Sequence, residues 1–309
     1  MGVNPATAPE PPARRAPSED WPHVGLFCRV QDALASLPGH FRSETVISGI
    51  NATDIFTLNA ALGATIEDQM VESLNNARDI WDPQGHYRMY EFTRQAQTFP
   101  DVLLRRFAPD DNEPAILMGI ELKGWYLLAK EGEPSFRFQV TPSACNPQDL
   151  IVVVPWVLAN VLSGSPKVFR PYIELARYAA EHRNYHWEHV RQAKKSSAVR
   201  LATGVTPYPR KSDRICDEPA SDTGGNFGRF ARTGIMDAYL EEARRELVRG
   251  IEAKHWLAFF KAFQDNAPSK AVEAAIDRAA QAVVQGRAPS DRAAHVETIL
   301  AALHALVSG

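Results

Sequence analysis

Hydrophobic residues recur at spacings of three and four positions between Thr53 and Trp81. This periodicity predicts a helix with one apolar face, formed by Ile55, Leu58, Leu62, Ile66, Met70 and Leu74. The turn composition of Asp82–Gly85 ends the pattern, and the aromatic residues of His86–Thr93 then predict a strand.

Two extended segments follow, separated by residues that favour a turn. Phe99–Phe107 and Ala115–Tyr126 have strand composition, and Ala108–Pro114 between them is rich in Pro, Asp and Asn. The pattern therefore predicts a β-hairpin. Two more strands are predicted at Pro134–Val140 and Asp149–Trp156, and the second is apolar enough to be buried on both faces.

The rest of the chain has helical patterns. The predicted helices are Pro171–Ala193, Thr233–Asp265, Ser269–Gln285 and Ser290–Val307. This order predicts an α/β (α+β) protein, in which a central mixed β-sheet containing the hairpin is flanked by helices and followed by a helical C-terminal extension. We expect three regions: a disordered Pro-rich tail at 1–22, a core at 23–232 and a helical region at 233–309.

Composition limits the class of protein. Its 309 residues, 45% hydrophobic and 23% charged, are ordinary for a soluble globular chain, and no apolar run approaches the ~18 residues of a membrane span. The tail lacks the apolar segment of a signal peptide, and three scattered cysteines do not indicate a disulfide framework. We therefore expect a cytoplasmic protein with no membrane partner.

Three charged residues of the predicted hairpin converge on one face. Asp101 and Glu121 are symmetric about residue 111, in the middle of the predicted turn. Directly opposed residues of an antiparallel pair share a face, with Cβ atoms about 5 Å apart. Lys123 follows Glu121 by two positions and so points to the same side.

This arrangement suits a divalent metal ion and phosphate chemistry. Carboxylate oxygens are the ligands that Mg²⁺ prefers, and we expect Mn²⁺ to substitute for it. The candidate ligands are Asp101, Glu121 and the backbone carbonyl of Leu122. A metal ion there can polarise a phosphate and lower the pKa of a bound water. Lys123 can orient or help to deprotonate that water and offset transition-state charge.

The residues that carry this chemistry also carry a family resemblance. Pro100-Asp101, followed after a gap of 20 residues by Glu121-Leu122-Lys123, resembles the motif of the PD-(D/E)xK nuclease superfamily, which includes most type II restriction endonucleases. The resemblance implies a Mg²⁺-dependent, sequence-specific endonuclease of double-stranded DNA that acts as a homodimer. It also implies a further acid on the preceding helix, for which Glu67 is the candidate and Glu72, on the polar face, is less favoured.

Two other segments match parts of this motif. Glu252-Ala253-Lys254 matches its second half but lies in a predicted helix with no facing carboxylate. Pro109-Asp110 matches its first half but lies in the predicted turn. Asp101 alone satisfies strand, register and face together.

A basic segment offers a surface for DNA despite the net charge of −3. Between Lys167 and Arg214 there are eleven basic residues and four acidic ones, a local net charge of +7. The candidate DNA contacts, from this segment and the glycine-rich stretch after it, are Lys194, Lys195, Arg210, Lys211, Arg229 and Arg232.

Several alternatives stay open at this stage. His182, His186 and His189 have spacing that could bind zinc, but a solvated or DNA-facing helix is favoured. Gly224–Gly228 could form an anion-binding nest or a linker, and its spacing is not that of a P-loop, so we expect no nucleotide cofactor. The chain could also be a DNA-repair nuclease, or a non-catalytic DNA-binding or scaffold protein of the same fold.

Overall fold

A computed structural model of the chain describes residues 9–262, except 51, 96–97, 109, 111 and 193–195, and in addition residues 270, 274 and 277. The alanine-rich helices predicted at Ser269–Gln285 and Ser290–Val307 thus fall outside the described residues, apart from three single positions. Lys194 and Lys195 also lie outside the described residues.

The chain is a mixed α/β protein in which helices pack on one central sheet, as predicted. Its helices are α1 (Val24–Ala35), α2 (Leu37–His40), α3 (Leu58–Asn76), α4 (Arg78–Trp81), α5 (Ala176–Tyr185), α6 (Asp237–Ala243) and α7 (Ala253–Ala262). Short 3₁₀ segments lie at Ala52–Thr57, Pro142–Ala144 and Phe230–Thr233, and a π-helical turn at His186–Val190 extends α5. The predicted Thr53–Trp81 helix is confirmed over α3, with a break at Ala77 before α4.

The central sheet has six strands. They are β1 (Tyr90–Arg94), β2 (Val102–Arg106), β3 (Ile116–Tyr126), β4 (Leu150–Leu158), β5 (Pro166–Val168) and β6 (Tyr172–Leu175). The order is β1-β2-β3-β4-β5, with β6 also paired to β4. Only the β3–β4 pair is parallel, and the other pairs are antiparallel. All nine residues of β4 are buried, which confirms the expectation from its apolar sequence.

The predicted hairpin and its register are confirmed. Val102 pairs with Ile120, Leu103 with Gly119 and Leu104 with Met118. This is the alignment that places Asp101, just before β2, opposite Glu121. A bulge shifts the register by one residue beyond Leu104, towards the turn.

The strand predicted at Pro134–Val140 is wrong. This segment makes only isolated bridges, from Arg137 to Arg229 and from Val140 to Cys216. The carbonyl oxygens of Phe138 and Val140 accept hydrogen bonds from the buried guanidinium of Arg183, at 2.6 and 3.0 Å. A side chain therefore satisfies the backbone groups that a neighbouring strand would otherwise bond.

Two of the predicted helices are partly wrong. Residues 172–175 of the Pro171–Ala193 prediction form β6, because they pair with β4. The Thr233–Asp265 prediction breaks after α6 into a small hairpin of β9 (Leu247–Val248) and β10 (Ile251–Glu252) before α7 begins. Arg249 and Gly250 both have positive φ, the conformation of a two-residue hairpin turn. A second small sheet pairs β7 (Val199–Arg200) with β8 (Glu218–Pro219).

Part of the predicted disordered tail packs on the folded chain. Pro17 is buried, and the Arg14 guanidinium lies 2.9 Å from the Glu174 carboxylate and over the ring of Tyr178. Within the described ranges, no helix is both long enough and apolar enough to cross a membrane.

Candidate active site

The candidate site lies at a gap in the sheet. β2 pairs with β3 only as far as Val102 and Ile120, whereas β3 continues to Tyr126. Helix α3 covers this edge with side chains: Glu67 Oε1 accepts the N–H of Gly124 at 3.1 Å, and Asn59 Oδ1 accepts the N–H of Tyr126 at 3.0 Å. The helix thereby replaces the missing strand, and one of its acids is brought to the middle of β3.

Asp101, Glu121 and Lys123 meet at this gap. Lys123 Nζ lies 2.6 Å from Asp101 Oδ2 and 3.1 Å from Glu121 Oε1. The N–H of Asp101 donates to Glu121 Oε2 at 3.3 Å. The side chains of Asp101 and Lys123 keep 22% and 21% of their exposure and that of Glu121 keeps 11%, so solvent reaches the cluster from one side. The structure thus brings together the three residues identified by register and spacing.

Burial and charge set the protonation states of this cluster. Burial raises the pKa of Glu121 to about 7, with Lys123 opposing the shift and Asp101 adding to it. Burial by itself would lower the pKa of Lys123, but the carboxylates of Glu121 and Asp101 outweigh it and raise that pKa above its usual value. The positive charge of Lys123 is therefore favoured beside the two carboxylates, which suits orienting a water and offsetting charge.

Glu67 is held in place by two donors. Its Oε1 accepts the Gly124 N–H, and its Oε2 lies 3.2 Å from the guanidinium of Arg94 at the end of β1. Arg94 also contacts the carboxylate of Asp68 at 2.6 Å. Burial raises the pKa of Glu67, opposed by the Gly124 hydrogen bond and by Lys123. Glu67 therefore positions the β3 edge in this structure.

The gap carries oxygen atoms of the kind that Mg²⁺ prefers. Backbone groups alternate between the two edges of a strand, so the Leu122 carbonyl points to the same edge as the N–H groups of Gly124 and Tyr126. In the described part of the chain, no group of three or more His, Cys, Asp and Glu side chains could hold a metal ion. The oxygen donors that the chain offers there are the carboxylates of Asp101 and Glu121 and the carbonyl of Leu122. Mg²⁺ is commonly bound through one or two carboxylates in this way.

Asp149 links the site to a loop that is distant in sequence. Its Oδ1 accepts the N–H of Gly119 at 2.7 Å and the hydroxyl of Tyr208 at 3.2 Å, and its Oδ2 accepts the N–H of Asn146 at 2.7 Å. Gly119 precedes Glu121 by two positions on β3 and so shares its face. A Cβ at Gly119 would lie 2.2 Å from Pro100 Cγ, so only glycine lets the Pro100-Asp101 turn approach β3 this closely.

Two buried tryptophans lie near Lys123 and Gly124. Trp125 follows Lys123 by two positions on β3 and is 2% exposed, and Trp156 is fully buried. A Cβ at Gly124 would lie 3.6 Å from the indole nitrogen of Trp156. Neither indole N–H has a hydrogen-bond partner among the described residues.

The described candidate DNA contacts differ in their surroundings. Arg210 and Lys211 are exposed, and no acidic side chain pairs with either within the described residues. Arg232 is paired with Glu133 and with Asn226 Oδ1. Arg229 is half-buried, and its Nε has no partner among the described residues. The available cations therefore lie at Arg210 and Lys211.

The glycine-rich stretch is a nest that the chain fills with its own acid. The carboxylate of Asp222 accepts the N–H groups of Gly224, Asn226 and Phe227 at 3.2, 3.0 and 2.9 Å. Burial opposes a charged Asp222, but these hydrogen bonds outweigh it and lower its pKa. This stretch therefore offers no open anion site.

The histidines of the predicted zinc alternative are spread over a helix junction. His182 belongs to α5, whereas His186 and His189 lie in the π-helical turn, where the residue spacing per turn changes. Burial lowers the pKa of His182 and of His186. Neither lies in a metal-holding group of the described residues. The second Glu-x-Lys segment does not join the cluster of Asp101, Glu121 and Lys123 either. Glu252 lies in β10, and its carboxylate pairs with Lys254.

Three residues at the site were missed by sequence reasoning. Arg94, Asp149 and Tyr208 come from the end of a strand, the start of another and a proline-rich loop. Arg94 lies two positions after the buried Phe92 on β1 and so shares its face, which the period of two along a strand could have indicated. Asp149 stood at the first position of a predicted strand, but nothing local indicated its partners.

Comparison of the chain with models of protein families, with curated proteins and with solved structures finds no match.

Proposed function

We propose that the chain is a Mg²⁺-dependent endonuclease that cuts double-stranded DNA at specific sites, as type II restriction enzymes of the PD-(D/E)xK superfamily do. The observation that carries the proposal is the convergence of Asp101, Glu121 and Lys123 at the gap in the sheet. The lysine ammonium lies 2.6 Å from the Asp101 carboxylate and 3.1 Å from that of Glu121. The motif spacing and the acid of α3, Glu67, support the same assignment.

The residues divide the work of phosphodiester hydrolysis. Asp101, Glu121 and the Leu122 carbonyl would hold the metal ion, which when bound supplies Lewis-acid polarisation of the phosphate and a more acidic water. The Lys123 ammonium can donate hydrogen bonds to the water and to the phosphate oxygens, and it offsets the charge that builds up there. Water adds to phosphorus, one P–O ester bond breaks, and the products are a phosphate end and a hydroxyl end.

Further features of the proposal follow from the substrate. A palindromic site would be matched by a homodimer, because a two-fold axis in the protein then coincides with that of the DNA. We propose that the protein acts in the cytoplasm, and Mn²⁺ should replace Mg²⁺.

The test is cleavage of unmodified phage DNA by the purified protein with Mg²⁺, with EDTA and as Glu121→Ala. Glu252→Ala is the matched control, because it removes the acid of the other Glu-x-Lys segment, outside the site. We expect discrete fragments from the wild type and from Glu252→Ala with Mg²⁺ only, and intact DNA from Glu121→Ala.

Other outcomes separate the alternatives. A smear or nicks that depend on Glu121 would retain the nuclease but favour a repair enzyme. Intact DNA with every substrate, including methylated and synthetic duplexes, together with DNA binding would favour a non-catalytic DNA-binding protein.

A further inference from the structure

A proline-rich loop carries two exposed cations with which no acidic side chain of the described residues pairs, and its root is bound to segments next to the candidate active site. We define the basic loop as residues 206–214, in which Arg210 and Lys211 form the exposed tip and Pro209 is buried at the root. Arg214 adds a third exposed cation, and Asp213 is the loop's acid. The Asp213 carboxylate accepts the N–H of Arg210 at 2.8 Å, so it closes the turn at the tip.

The root of the basic loop is fixed by two hydrogen bonds to residues near the site. Thr98 Oγ1 donates to the carbonyl of Pro209 at 3.3 Å, and Thr98 precedes Asp101 by three residues. The Tyr208 hydroxyl donates to Asp149, which also binds the N–H of Gly119, two positions from Glu121. Residues two apart in a strand are about 7 Å apart, so the basic loop borders the face that holds the site.

The backbone at the root indicates that this placement is enforced. Tyr208 has a φ of 56°, in the left-handed region that a bulky non-glycine residue seldom adopts. Such conformations are strained and persist where the surroundings impose them. Pro207 and Pro209 restrict the chain on both sides of Tyr208. The tip is thus presented from a stiff support.

We infer that the basic loop binds the DNA backbone beside the candidate active site. Arg210 and Lys211 contact phosphates next to the bond that is cut. This inference rests on the proposed function and adds the part of the protein surface that holds the substrate. Adjacent exposed cations without acidic partners suit a polyanion, because each phosphate contact releases condensed counterions. Such contacts fix the position of a duplex without reading its sequence.

The test measures DNA binding without cleavage. Affinity for a fluorescein-labelled duplex of random sequence is determined by anisotropy in EDTA, from about 50 to 200 mM salt. We expect Arg210→Ala/Lys211→Ala to reduce the slope of log affinity against log salt by about 1.8, since each phosphate contact contributes about 0.9. The charge-preserving variant Arg210→Lys/Lys211→Arg should keep the wild-type slope.

A second control removes two exposed arginines outside the basic loop, Arg15 and Arg105, and should leave the slope unchanged. The inference fails if the loop variant keeps the wild-type slope, or if the Arg15→Ala/Arg105→Ala variant loses as much. In both cases the nuclease proposal stands, provided that the wild type cuts DNA. If the wild type neither binds nor cuts DNA, the proposed function fails as well.

Discussion

Glu67 shows how a side chain of the site depends on residues outside it. One of its oxygens accepts a backbone N–H of β3, and the other lies against the guanidinium of Arg94. The helix can present this acid at one place only, because both oxygens are held. Residues that orient the groups around a metal site in this way commonly contribute 10–100-fold to metal affinity or activity.

Arg94→Ala should therefore lower the cleavage rate by about 10–100-fold. The matched control is Asp68→Ala, which removes the exposed acid bound to Arg94 but leaves the contact between Arg94 and Glu67. Single-turnover cleavage with excess enzyme measures both. Equal rates for the two variants would contradict a positioning role for Arg94.

Asp149 should make stability depend on pH. Burial raises its pKa to about 7, whereas an unfolded aspartate titrates near 3.9. Between these values the folded protein retains a proton that the unfolded chain has lost. The free energy of unfolding should therefore fall as pH rises from about 4 to 7, by roughly 4 kcal/mol at most.

Urea unfolding at pH 5 and pH 8 tests this expectation. Asp149→Asn lacks the titration, so the wild type should lose stability relative to the variant between the two pH values. The variant should be the less stable protein at pH 5, because one of its amide N–H groups would face a backbone donor. Parallel stability curves would count against the raised pKa.

At the scale of elements, the close contact between the Pro100-Asp101 turn and β3 depends on one glycine. Gly119→Ala would place a methyl group 2.2 Å from Pro100 Cγ. We expect it to displace Asp101, to destabilise the protein by about 1–3 kcal/mol and to reduce cleavage. Gly63→Ala on α3, where a Cβ meets no atom within 4 Å, should instead stabilise by about 0.5–1 kcal/mol. Thermal unfolding and cleavage assays distinguish the two, and a fully active, stable Gly119→Ala would refute the expectation.

Elements with strong periodicity could be predicted, and those that depend on remote partners could not. The stripe of α3 and the apolar run of β4 are local patterns, and the symmetry of Asp101 and Glu121 about a turn sets the hairpin register. β6 has no local pattern that separates it from the helix that follows, because its strand conformation comes from pairing with β4. The β9–β10 hairpin turns on two residues, Arg249 and Gly250, inside a sequence with helical spacing.

The residues of the candidate site also divide into those that the sequence could predict and those that depend on remote partners. Asp101, Glu121 and Lys123 could be identified because the hairpin register and the period of two along a strand place them on one face. Glu67 was suggested by the family resemblance, which implies an acid on the preceding helix. Tyr208 lies 59 residues from its partner Asp149, and such a contact follows from the tertiary fold alone.

At the scale of the whole molecule, a buried ion pair joins segments distant in sequence. Arg183 on α5 is 1% exposed and contacts Asp217 at 2.6 Å, besides the two carbonyls of the 138–140 segment. Burial lowers the pKa of Arg183 to about 10, opposed by Asp217. The hydrogen bonds to Phe138 and Val140 satisfy backbone carbonyls in an irregular segment that belongs to no sheet or helix.

Arg183→Met should lower the free energy of unfolding by about 3–5 kcal/mol, since it leaves the Asp217 carboxylate buried without its cation. Arg183→Met/Asp217→Asn should recover part of the loss, because the unpaired charge is gone. Urea denaturation of the wild type, Arg183→Met, Asp217→Asn and the double variant completes a double-mutant cycle. Additive effects of the two substitutions would show that the pair is not coupled.

The buried tryptophans near Lys123 make the intrinsic fluorescence of the protein sensitive to charge at the site. Indole emission responds to the electric field around the ring, and Trp125, which is 2% exposed, lies two residues after Lys123 on β3. When a divalent ion is added to the DNA-free protein, the intrinsic fluorescence should shift without any attached dye. Trp125→Phe should abolish most of that shift while Trp21→Phe, at the half-buried start of the fold, leaves it intact. The chain thus carries its own reporter of what enters the gap beside β3.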